Sequence, residues 1–162
     1  MSVATIRRAM ESDVPLILQL IRELAEYERL AHEVVATERD LHDSLFSVHP
    51  QAEVVIAEVD GSAAGYALYF HNYSTFLCKR GLYLEDLFVR PPYRGRGVGK
   101  QLLQYLARLA VERGCVRFEW AVLDWNQPAI DFYRALGAVR LDDWRVFRVT
   151  GGALRTLAGI GS

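Results

Sequence analysis

A glycine-rich loop with basic side chains is the stretch of this sequence whose residue types most directly suggest chemistry. It combines three glycines, three basic residues and one aliphatic residue, in the order Arg94, Gly95, Arg96, Gly97, Val98, Gly99 and Lys100. Glycines lack a Cβ, so backbone N–H groups can crowd inward, and a helix beginning here adds about half a positive charge at its amino end. The loop therefore predicts a phosphate-binding site.

The spacing of the loop excludes the common nucleotide motifs. A Walker loop needs Gly-x-x-x-x-Gly-Lys-Ser/Thr, but Arg94 occupies the place of the first glycine and Gln101 the place of the hydroxyl residue. A dinucleotide fingerprint needs Gly-x-Gly-x-x-Gly, and counting from Gly95 puts Lys100 at the third position. ATP, GTP, NAD and FAD are therefore not expected, and a flexible glycine turn with solvated arginines is the alternative interpretation.

A strand and a helix must hold this loop. Residues 82–89 form a β-favouring run with aromatics, and Pro91 and Pro92 end it by forbidding further pairing. The helix after the loop is indicated by an apolar stripe at helical spacing, with Gly114 as its stop; the stripe is Leu102, Leu103, Leu106, Leu109 and Ala110. The predicted unit is strand, turn, glycine loop and helix.

The other elements follow from periodicity, caps and turn residues. Asp60-Gly61 predicts a hairpin, Ser12 or Asp13 and Thr37 cap two early helices, and Asn126 caps a late one. Strands are predicted at residues 5–8, 54–59, 64–73, 82–89, 116–123 and 144–149, and further helices after Asp13, at 38–46 and at 129–136, before a short, partly frayed tail at 151–162. Strand 116–123 should lie parallel to strand 82–89 through a right-handed crossover.

Composition restricts the class of protein. With 162 residues and 51% hydrophobic content, one domain over residues 1–162 is expected. The net charge of -1 supplies no field for binding nucleic acid, so nucleic acid is not expected as a partner. Cys78, Cys115 and the four histidines lack metal-ligand spacing, and no run is long enough for a membrane span. We expect a cytoplasmic protein without a metal or a membrane partner.

Four sequence motifs occur in an order and spacing typical of one family. They are residues 82–89 (Leu-Tyr-Leu-Glu-Asp-Leu-Phe-Val), the loop pattern Arg94-x-x-Gly97-x-Gly99 after Tyr93, the run Trp125-Asn126-Gln127-Pro128, and the stretch from Phe132-Tyr133 to Gly137-Ala138. Together they resemble the GNAT superfamily of N-acetyltransferases, in its spermidine/spermine branch, which includes enzymes for diamines and thialysine.

The resemblance implies an α+β (mixed α/β) fold and acetyl-CoA as co-substrate. The fold would be a twisted, mixed sheet with flanking helices, in which the strands at 82 and 116 splay apart to admit the coenzyme. The pantetheine arm would lie along Leu87, Phe88 and Val89 like an added strand. The loop from Arg94 to Lys100 would bind the pyrophosphate, and the opposite side would be formed by Asn126, Gln127, Pro128 and Ala129. A homodimer is also implied.

The resemblance assigns Tyr133 as general acid, and the chemistry of acetyl transfer asks for a base as well. An alkylamine with a pKa near 10.4 needs about 4 kcal/mol to become neutral at pH 7 to 7.5. We expect Glu85, a charged residue in an apolar strand, to take this proton, and Tyr133 to protonate the CoA sulfur. Direct attack in a ternary complex is expected. The alternatives are an outward-facing Glu85 at a strand bulge and a Tyr133 that, with Phe132, only packs its helix against the sheet.

The expected acceptor is a small cationic amine: a polyamine, a diamine, or a thialysine-like or lysine-like amino acid. The expected substrate-binding residues are mostly acidic and comprise Tyr27, Glu28, Glu85, Asp86, Glu119, Trp120, Ala121, Asp142 and Asp143. Two other functions stay open. One is a protein acetyltransferase acting on lysine or amino-terminal sites, and the other is a sensor that binds acyl-CoA without turnover.

Overall fold

The computed structural model describes residues 3–161, in which helices flank one sheet. The strands are β1 (Thr5–Arg8), β2 (Glu53–Val59), β3 (Ser62–Ser74), β4 (Lys79–Val89) and β5 (Phe118–Trp120). The α-helices are α1 (Val14–Tyr27), α2 (Glu38–Leu45), α3 (Val98–Glu112), α4 (Gln127–Ala135) and α5 (Gly151–Leu157). Short 3₁₀ turns precede α1, α2 and the glycine loop.

The sheet is mixed, as predicted. Its strand order is β1-β2-β3-β4-β5, with three antiparallel pairs and a parallel pair between β4 and β5. The parallel pair is short, because it begins at Leu82 opposite Phe118 and ends at Leu84 opposite Trp120. Beyond Leu84, the edge of β4 that faced β5 has no strand beside it among residues 3–123. This opening agrees with the predicted splay of the two central strands.

A β-bulge at Glu85 divides β4 into two halves. Tyr69 pairs with Leu84 and the preceding residue, Leu68, pairs with Asp86, so Glu85 is the extra residue. Because strand side chains alternate between faces, one inserted residue reverses the faces of all residues that follow. Leu84 therefore lies on one face of the sheet, whereas Asp86 lies on the other.

The two faces of the sheet are covered by different helices. Tyr66 and Phe88 belong to a core cluster with apolar residues of α1 and α2, including Ile17, Leu24 and Leu41. Helix α3 packs against the sheet through a separate buried stripe that contains Leu102, Leu103 and Leu106. The bulge thus turns Asp86 toward the side of the sheet that α1 and α2 cover.

Local signals account for most element boundaries. Thr37 caps α2 in a capping box, in which its hydroxyl accepts the N–H of Asp40 and the Asp40 carboxylate accepts the N–H of Thr37. Asp60 (φ 50°) and Gly61 (φ 77°) form the hairpin turn between β2 and β3. These two predictions are confirmed.

Two predictions near the carboxyl end are wrong. Residues 144–149 have no regular secondary structure, and the tail that was expected to fray contains α5. The strand predicted at 116–123 is also shorter than expected, since β5 spans only Phe118–Trp120. Alternating apolar residues show which side chains share a face, but a strand also needs a hydrogen-bonded neighbour, which the pattern does not supply.

The chain forms two compact units, Met1–Leu123 and Asp124–Ser162. The first contains the whole sheet with α1, α2 and α3, and the second contains α4 and α5. Among the helices of residues 3–161, none is both long and apolar enough to cross a bilayer.

Candidate active site

An acidic pocket opens where the carboxyl end of α1 meets the bulge of β4. Its volume is 420 Å³. Its charged lining residues are all acids, namely Glu28, Glu33, Glu85 and Asp86, and its apolar wall is made by Ile21, Leu24, Ala25, Leu30, Val34, Val35 and Ala36. The apolar residues come from α1 and from the segment that joins α1 to α2. Such a pocket suits a ligand that carries positive charge on an aliphatic stem.

Three of these carboxylates lack a basic partner. In residues 3–161, Glu28, Glu85 and Asp86 form no ion pair with a lysine, arginine or histidine. Burial, with a contribution from the Glu85 charge, raises the pKa of Glu28 above its usual value. Burial also raises the pKa of Asp86 to about 6, and the charges of Glu85 and Glu28 add to this increase. The pocket therefore has unneutralised negative charge that a cation would stabilise.

Asp86 is held by a tyrosine from the neighbouring strand. The Tyr66 hydroxyl donates a hydrogen bond of 2.9 Å to Asp86 Oδ2, and Tyr66 itself is 0% exposed. Burial and the nearby Asp86 carboxylate raise the pKa of Tyr66 well above its usual 10, so the phenol stays a donor. Glu85 is exposed at the bulge, as the alternative interpretation of its position supposed.

The glycine loop leads directly into the amino end of α3. Gly95 (φ 75°) and Gly97 (φ 79°) have left-handed backbone conformations, and the space where a Cβ would stand at either residue is open. The first backbone bond of the helix joins the N–H of Gln101 to the carbonyl of Gly97 at 3.0 Å. Within the described chain, the N–H groups of residues 95–100 have no backbone acceptor. Free N–H groups, a helix amino end and open space fit a phosphate.

Arg94 lies back against the strand and not along the loop. Its Nε donates to the carbonyl of Val89 at 2.8 Å, and its guanidinium carbon stands 4.9 Å from the Tyr27 ring centre and 5.6 Å from that of Phe88. Arg96 lies over the Tyr93 ring at 5.9 Å. The Arg94 side chain therefore connects the loop to the end of α1, next to the acidic pocket.

The remaining predicted coenzyme contacts in the first unit lie along the second half of β4. Phe88 is buried in the core, whereas Leu87 and Val89 are half-buried. One edge of this half pairs with β3, where Ala67 is opposite Leu87 and Gly65 is opposite Val89. The other edge is the opening beyond the short β5. Lys100 and Arg96 are exposed in the loop, while Val98 is buried and fixes the first turn of α3.

The structure does not bring every predicted acceptor residue to the pocket. Glu119 pairs with Arg117 at 2.6 Å and accepts a hydrogen bond of 3.5 Å from Asn72, so its charge is already matched within the sheet. The Trp120 ring packs edge-on against Phe118 at 5.0 Å between ring centres, and Ala121 is exposed just after β5. None of these three predicted residues lines the acidic pocket.

The second unit holds the other predicted residues. Asn126 is buried and caps α4, since its Oδ1 accepts the N–H of Ala129 at 3.4 Å, and Pro128 stands in the first turn. Gln127 donates to Asp131 at 2.7 Å. Tyr133 lies within α4, and its ring centre is 5.5 Å from that of Phe132. Asp142 pairs with Arg140 at 2.6 Å, and Asp143 is exposed.

Sequence reasoning missed Tyr66 and Glu33 as site residues. Tyr66 sits in an apolar strand where an aromatic residue is ordinary, and only the register of β3 against β4 places its hydroxyl at Asp86. Glu33 lies in a short turn without periodicity. For Asp86 the simple alternation of residues 82–89 is misleading, because it groups Asp86 with Leu84 on one face and the bulge separates them.

Comparison with known proteins gives a consistent result. The Acetyltransferase (GNAT) family model matches residues 17–138. The thialysine N-epsilon-acetyltransferase of Sus scrofa is 42% identical over 170 residues, covering 98% of this chain and 99% of that protein. The L-ornithine N5-acetyltransferase NATA1 of Arabidopsis thaliana is 36% identical over 197 residues, covering 94% of this chain and 86% of that protein. Among solved structures, the integron cassette protein VCH_CASS6 from the mobile metagenome of V. cholerae superposes with a TM-score of 0.81 at 30% identity, covering 98% of each chain.

The raised pKa of Asp86 predicts a specific pH dependence of stability. Because the folded pKa is about 6 and the ordinary value is 3.8, the folded state holds this proton more tightly, and the stability contributed by Asp86 falls as the pH rises between these values. In Asp86→Asn this decline is absent. The free energy of unfolding of Asp86→Asn relative to the unsubstituted protein should therefore rise by about 2 kcal/mol from pH 4 to pH 7.

Urea denaturation at pH 4, 5, 6 and 7 measures this difference. Asp43→Asn is the matched control, because Asp43 lies exposed on α2 and outside the pocket. A difference between Asp86→Asn and the unsubstituted protein that stays constant over this range would contradict the assignment.

Proposed function

The chain belongs to the GNAT acetyltransferase family and is an N-acetyltransferase for small cationic amines, and on that premise we propose that the acidic pocket binds the acceptor amine. One observation carries the proposal: Glu28, Glu85 and Asp86 meet in one pocket without a basic partner in the described chain. An ammonium group would relieve the repulsion among these carboxylates.

The shape of the pocket favours an acceptor with an aliphatic stem. Its apolar wall lies beside the carboxylates, so methylene groups can be buried while the charged end meets the acids. Thialysine and L-ornithine, the substrates in the names of two relatives, are amino acids with a primary amine on such a stem. We propose an acceptor of this kind, with diamines and polyamines as related candidates.

We propose that acetyl-CoA binds with its pyrophosphate at residues 94–100. The support is the set of N–H groups without backbone acceptors, the two left-handed glycines and the open space above them. The pantetheine arm would lie along the unpaired edge of β4 at Leu87, Phe88 and Val89. The contribution of Asn126, Gln127, Pro128 and Ala129 stays a prediction from the family resemblance.

The reaction then needs one proton removed and one supplied. We propose that Glu85, exposed at the bulge beside the pocket, accepts the ammonium proton. The amine nitrogen attacks the thioester carbon directly in a ternary complex, the N–C bond forms, the C–S bond breaks, and Tyr133 gives its phenol proton to the departing sulfur. Homodimerisation and a cytoplasmic location stay predictions.

An amine panel tests the proposed function. Release of the CoA thiol should be fast with thialysine and L-ornithine, slower with lysine, putrescine or spermidine, and undetectable with peptides that offer only an amino terminus or a lysine side chain. Acetylation of peptides alone would favour a protein acetyltransferase. Acetyl-CoA binding without thiol release for any amine would favour a sensor.

Tyr133→Phe tests the proton donor. Turnover should fall by about 10²- to 10⁴-fold, since that is the usual contribution of general acid catalysis, while the Kd for acetyl-CoA stays within about twofold. Tyr73→Phe, at an exposed position in β3, should retain full activity. Normal turnover in Tyr133→Phe would remove Tyr133 from the mechanism.

Gly97→Ala tests the loop. A Cβ at φ 79° strains the backbone by about 1–2 kcal/mol and turns the N–H groups, so the Kd for CoA should rise about tenfold or more. Gly61→Ala carries matched strain at φ 77° with equally open surroundings, but in the hairpin between β2 and β3. Equal CoA affinity in both variants would place the pyrophosphate elsewhere.

A further inference from the structure

The pair formed by Tyr66 and Asp86 lies at the boundary between the core and the acidic pocket. Tyr66 is 0% exposed, and its ring packs with Ile17, Leu24 and Phe88 in the cluster that joins the sheet to α1 and α2. Packing on all sides fixes the ring, and therefore fixes the direction of its hydroxyl. That hydroxyl donates to Asp86 Oδ2 at 2.9 Å.

The second oxygen of the Asp86 carboxylate is available to a ligand. Asp86 lines the pocket, and in residues 3–161 its single hydrogen-bond partner is the Tyr66 hydroxyl. Oδ1 therefore has no protein donor. A carboxylate that is anchored at one oxygen and open at the other is preorganised to accept a hydrogen bond from a cationic donor.

Building on the proposed function, we propose that Tyr66 is a positioning residue for acceptor binding: it holds Asp86 Oδ2 so that Oδ1 binds the ammonium group of the amine in the pocket. Glu85 is one residue away at the bulge and remains the group that takes the proton. The two acids then have separate tasks, since Asp86 anchors the cation and Glu85 serves the chemical step.

Electrostatics supports the role of Tyr66 in holding Asp86. Burial, Glu85 and Glu28 all raise the pKa of Asp86, and the Tyr66 hydrogen bond is the influence that lowers it. Without the hydroxyl, Asp86 loses its anchor and ionises at a higher pH. Both changes weaken its attraction for an ammonium group near neutral pH.

Tyr66→Phe tests the proposal while keeping the ring in the core. With thialysine as acceptor, KM should rise about tenfold, whereas kcat and the KM for acetyl-CoA stay within about twofold. The acidic limb of the profile of kcat/KM against pH should move to higher pH. Purely structural damage would lower the active fraction, and hence kcat, without these two changes.

Tyr69→Phe is the matched control. Tyr69 is 1% exposed in the same strand, but its odd spacing from Tyr66 puts its ring on the opposite face. The Tyr69→Phe substitution should leave the KM for thialysine and the pH profile of kcat/KM unchanged. In an Asp86→Asn background, Tyr66→Phe should add no further increase in KM, because the two side chains act as one unit.

Calorimetric titration with thialysine separates the possible failures. If the unsubstituted protein binds thialysine and Tyr66→Phe binds it equally well, the role of Tyr66 is overturned and the proposed function stands. If the unsubstituted protein binds neither thialysine nor putrescine, both are overturned. The proposal is supported if Tyr66→Phe binds thialysine more weakly than the unsubstituted protein, and if the same substitution causes no further weakening in an Asp86→Asn background.

Discussion

The extra residue in β4 is the constraint on which the candidate site depends. Because Glu85 has no partner in β3, the strand changes face within three residues, from Leu84 against the α3 side to Asp86 against the α1 side. The same irregularity occurs where β5 stops pairing, so one local feature opens the sheet edge and points an acid into the pocket. A regular strand would turn Asp86 to the face that α3 covers and away from the acidic pocket.

The loop and the pocket are joined through side chains of one compact unit. Arg94 begins the glycine loop and donates a hydrogen bond to the carbonyl of Val89, while its guanidinium lies over the Tyr27 ring. Tyr27 ends α1 and precedes Glu28, which lines the pocket. The position of the loop backbone is therefore tied to the helix end that carries an acceptor acid. This arrangement brings the proposed coenzyme loop and the acceptor pocket close to each other within the first unit.

The sequence predicted those features that local chemistry determines. The hairpin at Asp60-Gly61, the cap at Thr37, the end of β4 before Pro91 and the loop leading into α3 each follow from residue types at neighbouring positions. Features that depend on register were not settled by the sequence. The bulge at Glu85 was available only as an alternative interpretation, and the hydrogen bond from Tyr66 to Asp86 depends on how β3 is aligned with β4.

The predictions that were wrong also concern features that depend on contacts between segments. Glu119 was expected in the acceptor channel because of its charge, but Arg117, the residue just before β5, matches that charge. Residues 144–149 are rich in β-favouring side chains and yet have no regular secondary structure, because residue types describe one segment and strand pairing requires two. Charge and periodicity identify candidate groups, and the register of the sheet decides which of them meet.

The crowding of carboxylates in the pocket can satisfy two opposite requirements of amine acetylation. The enzyme must attract an ammonium ion and then remove its proton, although strong attraction for a cation opposes its neutralisation. A cluster of close acids meets both needs, since repulsion among Glu28, Glu85 and Asp86 is relieved when a cation binds and also when one carboxylate takes up the proton. Burial and the charges of Glu85 and Glu28 raise the pKa of Asp86 to about 6, so negative charge is crowded around Glu85, the group proposed to take the proton. The same negative charge can therefore bind the substrate and keep the cost of its deprotonation low.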